Sequence, residues 1–264
     1  MFNRRFLLTI LLFCCSAQII ASDTRIRITN GEWEPYLSES SYQYGLASHI
    51  VSEAFKLEGI SIDWGFFPWK RSYELARLGK WDASAVWWPS EDAKRDFWIS
   101  DPVVETSFVF FHLKDKPFDW ETIEDLQGLK IGITLGYDYG KEFMAAMHQG
   151  RILVDAHSQD ELNYKKLLLG RIDVFPNDPL VGYAQIKNTF SPENAERFTH
   201  HPRVFEKSTL SLIISRQSEK GKYFLEKFNS GLAKLKASGR LKQMFKDMES
   251  GAYDKQSNIW YQTD

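Results

Sequence analysis

The stretch GKWDASAVWWPSEDAKRDFWISDP, from Gly79 to Pro102, decides the fold of this chain. Its first glycine ends a helical pattern over residues 71–78, and a short apolar run over 83–88 then predicts a buried strand. A polar connection follows, and the FWISDP segment leads into a long, mostly apolar run over 103–113. Helix, strand, polar connection and strand in this order are typical of an α/β fold.

The same alternation of strands and helices extends in both directions along the chain. Apolar or β-branched runs predict strands over 26–29, 60–67, 130–135, 152–156, 172–175 and 210–215. Amphipathic spacing predicts helices over 45–57, 122–126, 139–147, 159–169, 180–187, 219–235 and 241–248. The polar segment 188–203 predicts a loop. This alternation predicts α/β architecture with mainly parallel, doubly wound sheets in two blocks.

The charge balance argues against a nucleic-acid partner. The chain has 33 Lys and Arg against 35 Asp and Glu, a formal net charge of −2. Without Arg4 and Arg5, 31 basic residues face 35 acidic ones. A protein that neutralises phosphates needs a basic excess, which this chain lacks.

Residues 1–22 have the features of a secretory signal peptide. Arg4 and Arg5 supply positive charge, Phe6 to Cys15 is an apolar run too short to span a bilayer, and small residues near Ala21 suit cleavage. The alternative is an uncleaved N-terminal anchor. Both cysteines of the chain lie in this segment, so the exported protein is expected to have no disulfide, thiol nucleophile or cysteine metal site.

A charged segment with a proline, KDKP at 114–117, interrupts the alternation and predicts a crossing between two domains. We expect one lobe to hold residues 23–113 together with 208–264. The other lobe is expected to hold residues 114–207.

Four segments carry a family resemblance: WEPY at 33–36, GKWDA with FWISDP inside 79–102, QGLKIGITLGYDYGKEF at 127–143 and GRIDVFPNDP at 170–179. In this order they resemble the type II periplasmic solute-binding fold, family 3, whose members are associated with polar amino-acid uptake. The resemblance implies a monomer of two lobes that closes at a hinge on a small polar solute held in an interlobe cleft. It also implies a location in the periplasm, an ABC-type permease as partner, and neither catalysis nor a cofactor.

The resemblance implies that Asp178 pairs with an α-ammonium group of the ligand. Members of the family have a carboxylate five residues after the aspartate of their G-x-[IL]-D strand, and Asp178 follows Asp173 at that spacing. The alternative is that Asp178 caps a helix that begins at Pro179.

The family's carboxylate-binding arginine has no direct counterpart in this sequence. The motif puts Ala93 or Asp92 at its position, depending on the alignment. Arg95 is nearby, and Arg71 in the segment PWKR is a second candidate, because a guanidinium fork suits a carboxylate. The alternative for both arginines is an exposed position on the surface.

Aromatic residues are concentrated in the first part of the chain, where seven of the nine tryptophans lie within the first 98 residues. Trp33 and Tyr36 follow the first strand, Trp69 and Trp88 lie near later strand ends, and Tyr137 belongs to the GYDYG loop. These rings are candidates to stack on a planar or cationic ligand. A place in the hydrophobic core is the alternative for each of them.

Two other functions remain open at this point. One is a sensory receptor that docks on a membrane kinase or cyclase. The other is an enzyme of the same fold, such as a dehydratase or lytic transglycosylase, with Glu34, Asp138 and Asp178 as acid–base groups. The sequence has no nucleophile elbow, zinc-protease or P-loop motif. The adjacent pair His200-His201 makes a poor chelate because neighbouring side chains of an extended segment point in opposite directions, so no metal is predicted.

Overall fold

The structure, a computed structural model, describes residues 24–253. The predicted signal peptide over residues 1–22 lies outside the described residues. Within them the elements alternate as the sequence predicts. The strands are β1 (Thr24–Asn30), β2 (Ile60–Phe66), β3 (Ala83–Trp87), β4 (Phe97–Leu113), β5 (Lys130–Thr134), β6 (Leu153–His157), β7 (Phe175–Asn177), β8 (Phe198–His200) and β9 (Glu206–Ser215). The helices are α1 (Leu46–Lys56), α2 (Trp69–Arg77), α3 (Glu91–Asp96), α4 (Lys141–His148), α5 (Asp160–Leu168), α6 (Pro179–Thr189), α7 (Pro192–Ala195), α8 (Gly221–Ala237) and α9 (Arg240–Glu249).

The larger sheet has the strand order β2-β1-β3-β9-β4-β7, and β8 also pairs with β4. Strand β1 is parallel to both β2 and β3, whereas β9 is antiparallel to β3 and to β4. A second, two-stranded parallel sheet consists of β5 and β6, and a bridge between Ile131 and Val174 connects it to the segment before β7. The sheets are therefore mixed rather than mainly parallel, because the late strand β9 returns between β3 and β4.

The long strand β4 runs from one hydrophobic core to another. Val103 and Val104 belong to the core around β1, β3, α1 and α8, whereas Phe108 and Phe110 belong to the core around β5 and α4. The change of core thus falls inside β4, and the predicted boundary at residue 113 lies beyond it. We call the first of these regions the first lobe and the second the second lobe.

Between the two cores, the paired strands carry a polar segment that we call the crossing ribbon, residues 105–107 of β4 and 207–209 of β9. In its register Glu105 is opposite Thr209, Thr106 is opposite Ser208 and Ser107 is opposite Lys207. The ribbon connects the lobes with few apolar side chains of its own.

The structure differs from the sequence prediction at several elements, among them β4, α3, α7 and β8. Strand β4 begins at Phe97, not at residue 103, because Phe97 to Ile99 already pair with β9. The short helix α3 was not predicted, although Ser90 caps it through a hydrogen bond from the backbone N–H of Ala93. The predicted loop over 188–203 contains both α7 and β8, whose few residues give too little periodicity to detect.

Candidate functional site

A cavity of about 710 Å³ lies between the lobes at the crossing ribbon. Its size falls within the range of small-molecule sites, roughly 300–1,000 Å³. Residues of the first lobe, the crossing ribbon and the start of α6 surround it. The lining residues are Tyr36, Glu105, Thr106, Ser107, Asp178, Pro179, Leu180, Lys207, Ser208 and Thr209.

A tight turn after β1 places Tyr36 at this cavity. The backbone N–H of Trp33 donates to the carbonyl of Leu37 at 2.6 Å, and the N–H of Leu37 donates back at 3.0 Å. The turn stacks the rings of Trp33 and Tyr36 at a centroid distance of 5.0 Å. Burial, and then the charge of Asp178, raise the pKa of Tyr36, so its phenol is neutral. The turn therefore brings a neutral hydroxyl close to a carboxylate of the second lobe.

Rings from both lobes meet beside Tyr36 in a contact that we call the aromatic seam, Trp33, Trp88, Phe108 and Tyr137. The ring of Trp88 lies 6.0 Å from that of Trp33, 5.8 Å from Phe108 and 5.8 Å from Tyr137. Trp33, Tyr36, Trp88 and Tyr137 thus lie together where the lobes meet.

The indole N–H groups of Trp33 and Trp88 are buried, and neither has a hydrogen-bond acceptor among the described residues. An unpaired buried donor is uncommon in folded proteins because burial removes it from water. Both donors belong to the aromatic seam, and neither tryptophan lines the cavity.

Two further contacts join the lobes. The side-chain amide of Asn188 donates to the carboxylate of Glu34 at 2.7 Å. Val181 of α6 is fully buried and packs in the hydrophobic core of the first lobe. Together with the aromatic seam, these contacts close the second lobe against the first.

Asp178 caps helix α6, which is one of the two roles that the sequence predicts for it. Its Oδ1 accepts from the backbone N–H groups of Leu180 at 2.9 Å and Val181 at 3.2 Å, and its Oδ2 accepts from the N–H of Ser107 at 3.3 Å. Asp178 is 2% exposed, and burial raises the pKa of its carboxyl group. Asp178 also lines the cavity, so its role as a helix cap is compatible with the predicted contact with a ligand.

A second buried carboxylate, Asp160, was not singled out from the sequence. It accepts hydrogen bonds from the side chains of four residues of the second lobe, at 2.5 to 3.3 Å. These donors are Thr134, Tyr137, Asn177 and Gln185. Burial raises the pKa of Asp160, and these hydrogen bonds oppose that shift. The network connects Tyr137 of the aromatic seam to the interior of the second lobe.

Of the eight predicted site residues, Tyr36 and Asp178 line this cavity, whereas Trp33, Trp88, Tyr137, Trp69, Arg71 and Arg95 do not. Trp69 packs on Gly31, where an added Cβ would lie 2.6 Å from the indole, and its N–H donates to the carbonyl of Glu32. The ring of Trp69 also packs edge-on against Trp87. Trp69 is therefore part of the packing of the first lobe.

The two candidate arginines lie on the surface. The guanidinium of Arg71 lies over the ring of Phe67 at 5.1 Å. Arg95 forms an ion pair with Asp92 at 2.7 Å on α3, and its side chain is 72% exposed. A six-residue helix turns the i and i+3 positions to the same face, and neither Asp92 nor Arg95 lines the cavity. The expected replacement of the family's arginine by Arg95 or Arg71 thus finds no support in the geometry.

In residues 24–253, no helix is both long and apolar enough to cross a membrane.

No protein-family model matches the chain. Over 201 residues it is 22% identical to the "Probable amino-acid-binding protein YxeM" of Bacillus subtilis (strain 168), covering 76% of this chain and 74% of the relative. A histidine kinase sensor domain similar to periplasmic binding proteins superposes with a TM-score of 0.70 at 16% identity, over 85% of this chain and 96% of that chain. The amino acid ABC transporter substrate-binding protein AbpA from Streptococcus pneumoniae, bound to L-arginine, superposes with a TM-score of 0.65 at 16% identity, over 86% of this chain and 94% of that one. The predicted two-lobed periplasmic-binding-protein fold is confirmed.

Proposed function

We propose that the protein is a periplasmic solute-binding protein that captures a small polar solute, an amino acid or a related amine or acid, in the cavity at the crossing ribbon. The observation that carries this proposal is the cavity itself, because the first lobe, the ribbon and the buried carboxylate of Asp178 all reach it. In open α/β folds small ligands bind at the ends of strands, in clefts of this size. The similarity to amino-acid-binding proteins supports the same conclusion.

The two lobes act by closing on the solute. Contacts such as Asn188 with Glu34 and Trp88 with Tyr137 form only when the lobes meet, so a solute that bridges them stabilises the closed arrangement. The proposed lobes follow the predicted division, residues 23–113 with 208–264 and residues 114–207, except that the hinge is the crossing ribbon, so residues 108–113 of β4 move with the second lobe, whose core holds Phe108 and Phe110. An ABC-type permease is the proposed partner of the closed form, and export by the N-terminal segment delivers the protein to the periplasm.

Asp178 is the proposed partner of a positive group of the solute, and the substitution Asp178→Asn tests this role. Asparagine caps helices as well as aspartate does, so its oxygen keeps the cap on α6, while the charge and the acceptor for the N–H of Ser107 are lost. We expect the affinity for an amine-bearing solute to fall by roughly 1–3 kcal/mol, the value of a charged hydrogen bond.

The measurement is a thermal-shift screen with amino acids, polyamines, organic acids and short peptides, followed by calorimetric titration of each hit. Asp101→Asn is the matched control, because Asp101 is exposed and does not line the cavity. An Asp178→Asn protein that binds the hit as tightly as the wild type would remove Asp178 from the site.

A sensory function is the second candidate, because a histidine kinase sensor domain shares the fold. In that case the closed form would dock on a membrane signalling protein and not on a permease. Neighbouring genes for permease subunits favour transport, whereas neighbouring genes for a kinase or cyclase favour sensing. We propose binding without chemistry in either case, and recovery of the solute unchanged after prolonged incubation is the expected result.

A further inference from the structure

Among residues 24–253, few charged side chains line the cavity, and one of them is positive. Of the residues that line it, Glu105 and Asp178 carry carboxylates and Lys207 carries an ammonium group. Arg71 and Arg95, the arginines that the sequence offers for a ligand's carboxylate, are both elsewhere. Lys207 is thus the cation that the described residues present to this cavity.

Lys207 is not committed to another protein group. Among residues 24–253 it has no ion pair and no side-chain hydrogen bond, and the same is true of Glu105. By contrast, the carboxylate of Asp178 accepts from the N–H groups at the start of α6. The ammonium of Lys207 is therefore available to an anionic group in the cavity.

The register of the crossing ribbon places Lys207 and Glu105 near each other but not directly opposite. Lys207 is opposite Ser107, and Glu105 is opposite Thr209, so Lys207 and Glu105 are diagonal neighbours on one face of the ribbon. Diagonal positions of paired strands are roughly 7–8 Å apart, within reach of long side chains. A small molecule with one positive and one negative group can contact both ends of this arrangement.

The face of the ribbon that carries Lys207 offers further polar groups. Ser107 is opposite Lys207 and Thr209 is opposite Glu105, so their side chains lie on this face, and both residues line the cavity. A carboxylate accepts from hydroxyl and ammonium donors alike. An anion held by Lys207 would therefore find hydroxyl donors on the same face of the ribbon.

We propose that Lys207 is the anchor for a carboxylate of the ligand, and that the ligand is a small zwitterion whose positive group faces the carboxylates of Asp178 and Glu105. This inference rests on the proposed solute-binding function and specifies its ligand class. The anchor lies on the ribbon between the lobes, whereas the family resemblance expects it on an arginine near residue 93.

The test compares each amino acid that binds with its decarboxylated amine, for example L-arginine with agmatine and L-lysine with cadaverine. Titrations use the wild-type protein, Lys207→Met, Lys207→Arg and the control Lys242→Met, which removes an exposed lysine of α9 that does not line the cavity. We expect the wild type to prefer the carboxylate-bearing member of the pair. Lys207→Met should weaken its binding roughly tenfold to a hundredfold, Lys207→Arg should largely restore it, and Lys242→Met should have no effect.

The possible failures are distinguishable. If the wild type binds the amine as tightly as its amino acid, or binds only amines, solute binding stands and the role of Lys207 is overturned. Equal binding of an amino acid to the wild type and to Lys207→Met would also overturn the role of Lys207. If no amino acid, amine, organic acid or short peptide binds the wild-type protein, the proposed function fails and the inference fails with it.

Discussion

The second lobe contains two buried aspartates whose surroundings differ. Asp160 accepts hydrogen bonds from four side chains, and neither Asp160 nor these four residues line the cavity. Asp178 accepts from three backbone N–H groups and itself lines the cavity. Burial raises the pKa of both carboxyl groups. The difference teaches that burial and a shifted pKa do not identify a ligand-binding carboxylate, because a fully surrounded carboxylate has no direction left for a ligand.

The largest expected effect is on stability at Asp160. Asp160→Ala removes the acceptor of the side-chain donors of Thr134, Tyr137 and Gln185 inside the second lobe, so we expect the free energy of unfolding to fall by about 3 kcal/mol. Urea unfolding followed by circular dichroism measures this change.

Asp178→Ala provides the comparison for Asp160→Ala. It removes a helix cap, and a loss of about 1 kcal/mol is expected. Equal losses at the two positions would mean that the two aspartates are equivalent in the fold, and the distinction between an enclosed and a cavity-lining carboxylate would fail.

The pH dependence of stability should separate Asp160 from a carboxylate with charged partners. Glu58 accepts from the ammonium groups of Lys227 at 3.1 Å and Lys234 at 2.6 Å, and from the hydroxyl of Ser230 at 2.8 Å. The hydrogen bond from Lys234 is the main cause that lowers the pKa of Glu58 to about 2. Asp160 has neutral donors only, and burial raises its pKa above the ordinary 3.8.

The pKa shifts of Asp160 and Glu58 change the free energy of unfolding in opposite directions as the pH rises. Folded protein holds the proton of Asp160 more tightly than unfolded protein, so the contribution of Asp160 decreases as the pH rises from 3.8 through its folded pKa. Glu58 releases its proton more readily when folded, so its contribution is complete above 4.5 and is lost as the pH falls towards about 2.

Urea unfolding of wild type, Asp160→Asn and Glu58→Gln between about pH 3 and about pH 7 measures both slopes. The stability of wild type relative to Asp160→Asn should decrease with rising pH, and that relative to Glu58→Gln should increase. Parallel slopes would show that neutral and charged donors act alike on these carboxylates.

Asp178, Asp160 and Lys207 show which site features the sequence predicts and which features depend on the folded structure. The cap at Asp178 is predictable because an aspartate before a proline at a helix start is a local signal, and the family spacing marked the same residue as a site candidate. The network of Asp160 is not predictable, since its donors lie at positions 134, 137, 177 and 185 and come together only in the folded lobe. Lys207 is similar, because its place at the cavity depends on pairing with Ser107.

The fold was predictable for a different reason. Strands and helices of five or more residues have enough periodicity to be read, so most of them were found, whereas α7 and β8 were too short. Arg95 was a reasonable candidate by distance along the chain, but the orientation of α3 depends on its packing through Ala93, which lies in a small core with Phe97 and Ile213. Orientation of a short helix is decided by such tertiary contacts and not by local sequence.

The smallest expected effect is at Tyr137, which belongs to both regions. Its hydroxyl donates to Asp160 at 3.2 Å, and its ring lies against Trp88 in the aromatic seam. Tyr137→Phe removes the hydroxyl and keeps the ring, so we expect the free energy of unfolding to fall by about 1 kcal/mol, the value of one hydrogen bond. The double mutant with Asp160→Asn should then lose less than the sum of the single losses, because both changes remove the same contact. If the losses add and the affinity for the solute falls instead, the phenol of Tyr137 contacts the ligand, and the boundary between the enclosed network and the binding site lies at Asp160 itself.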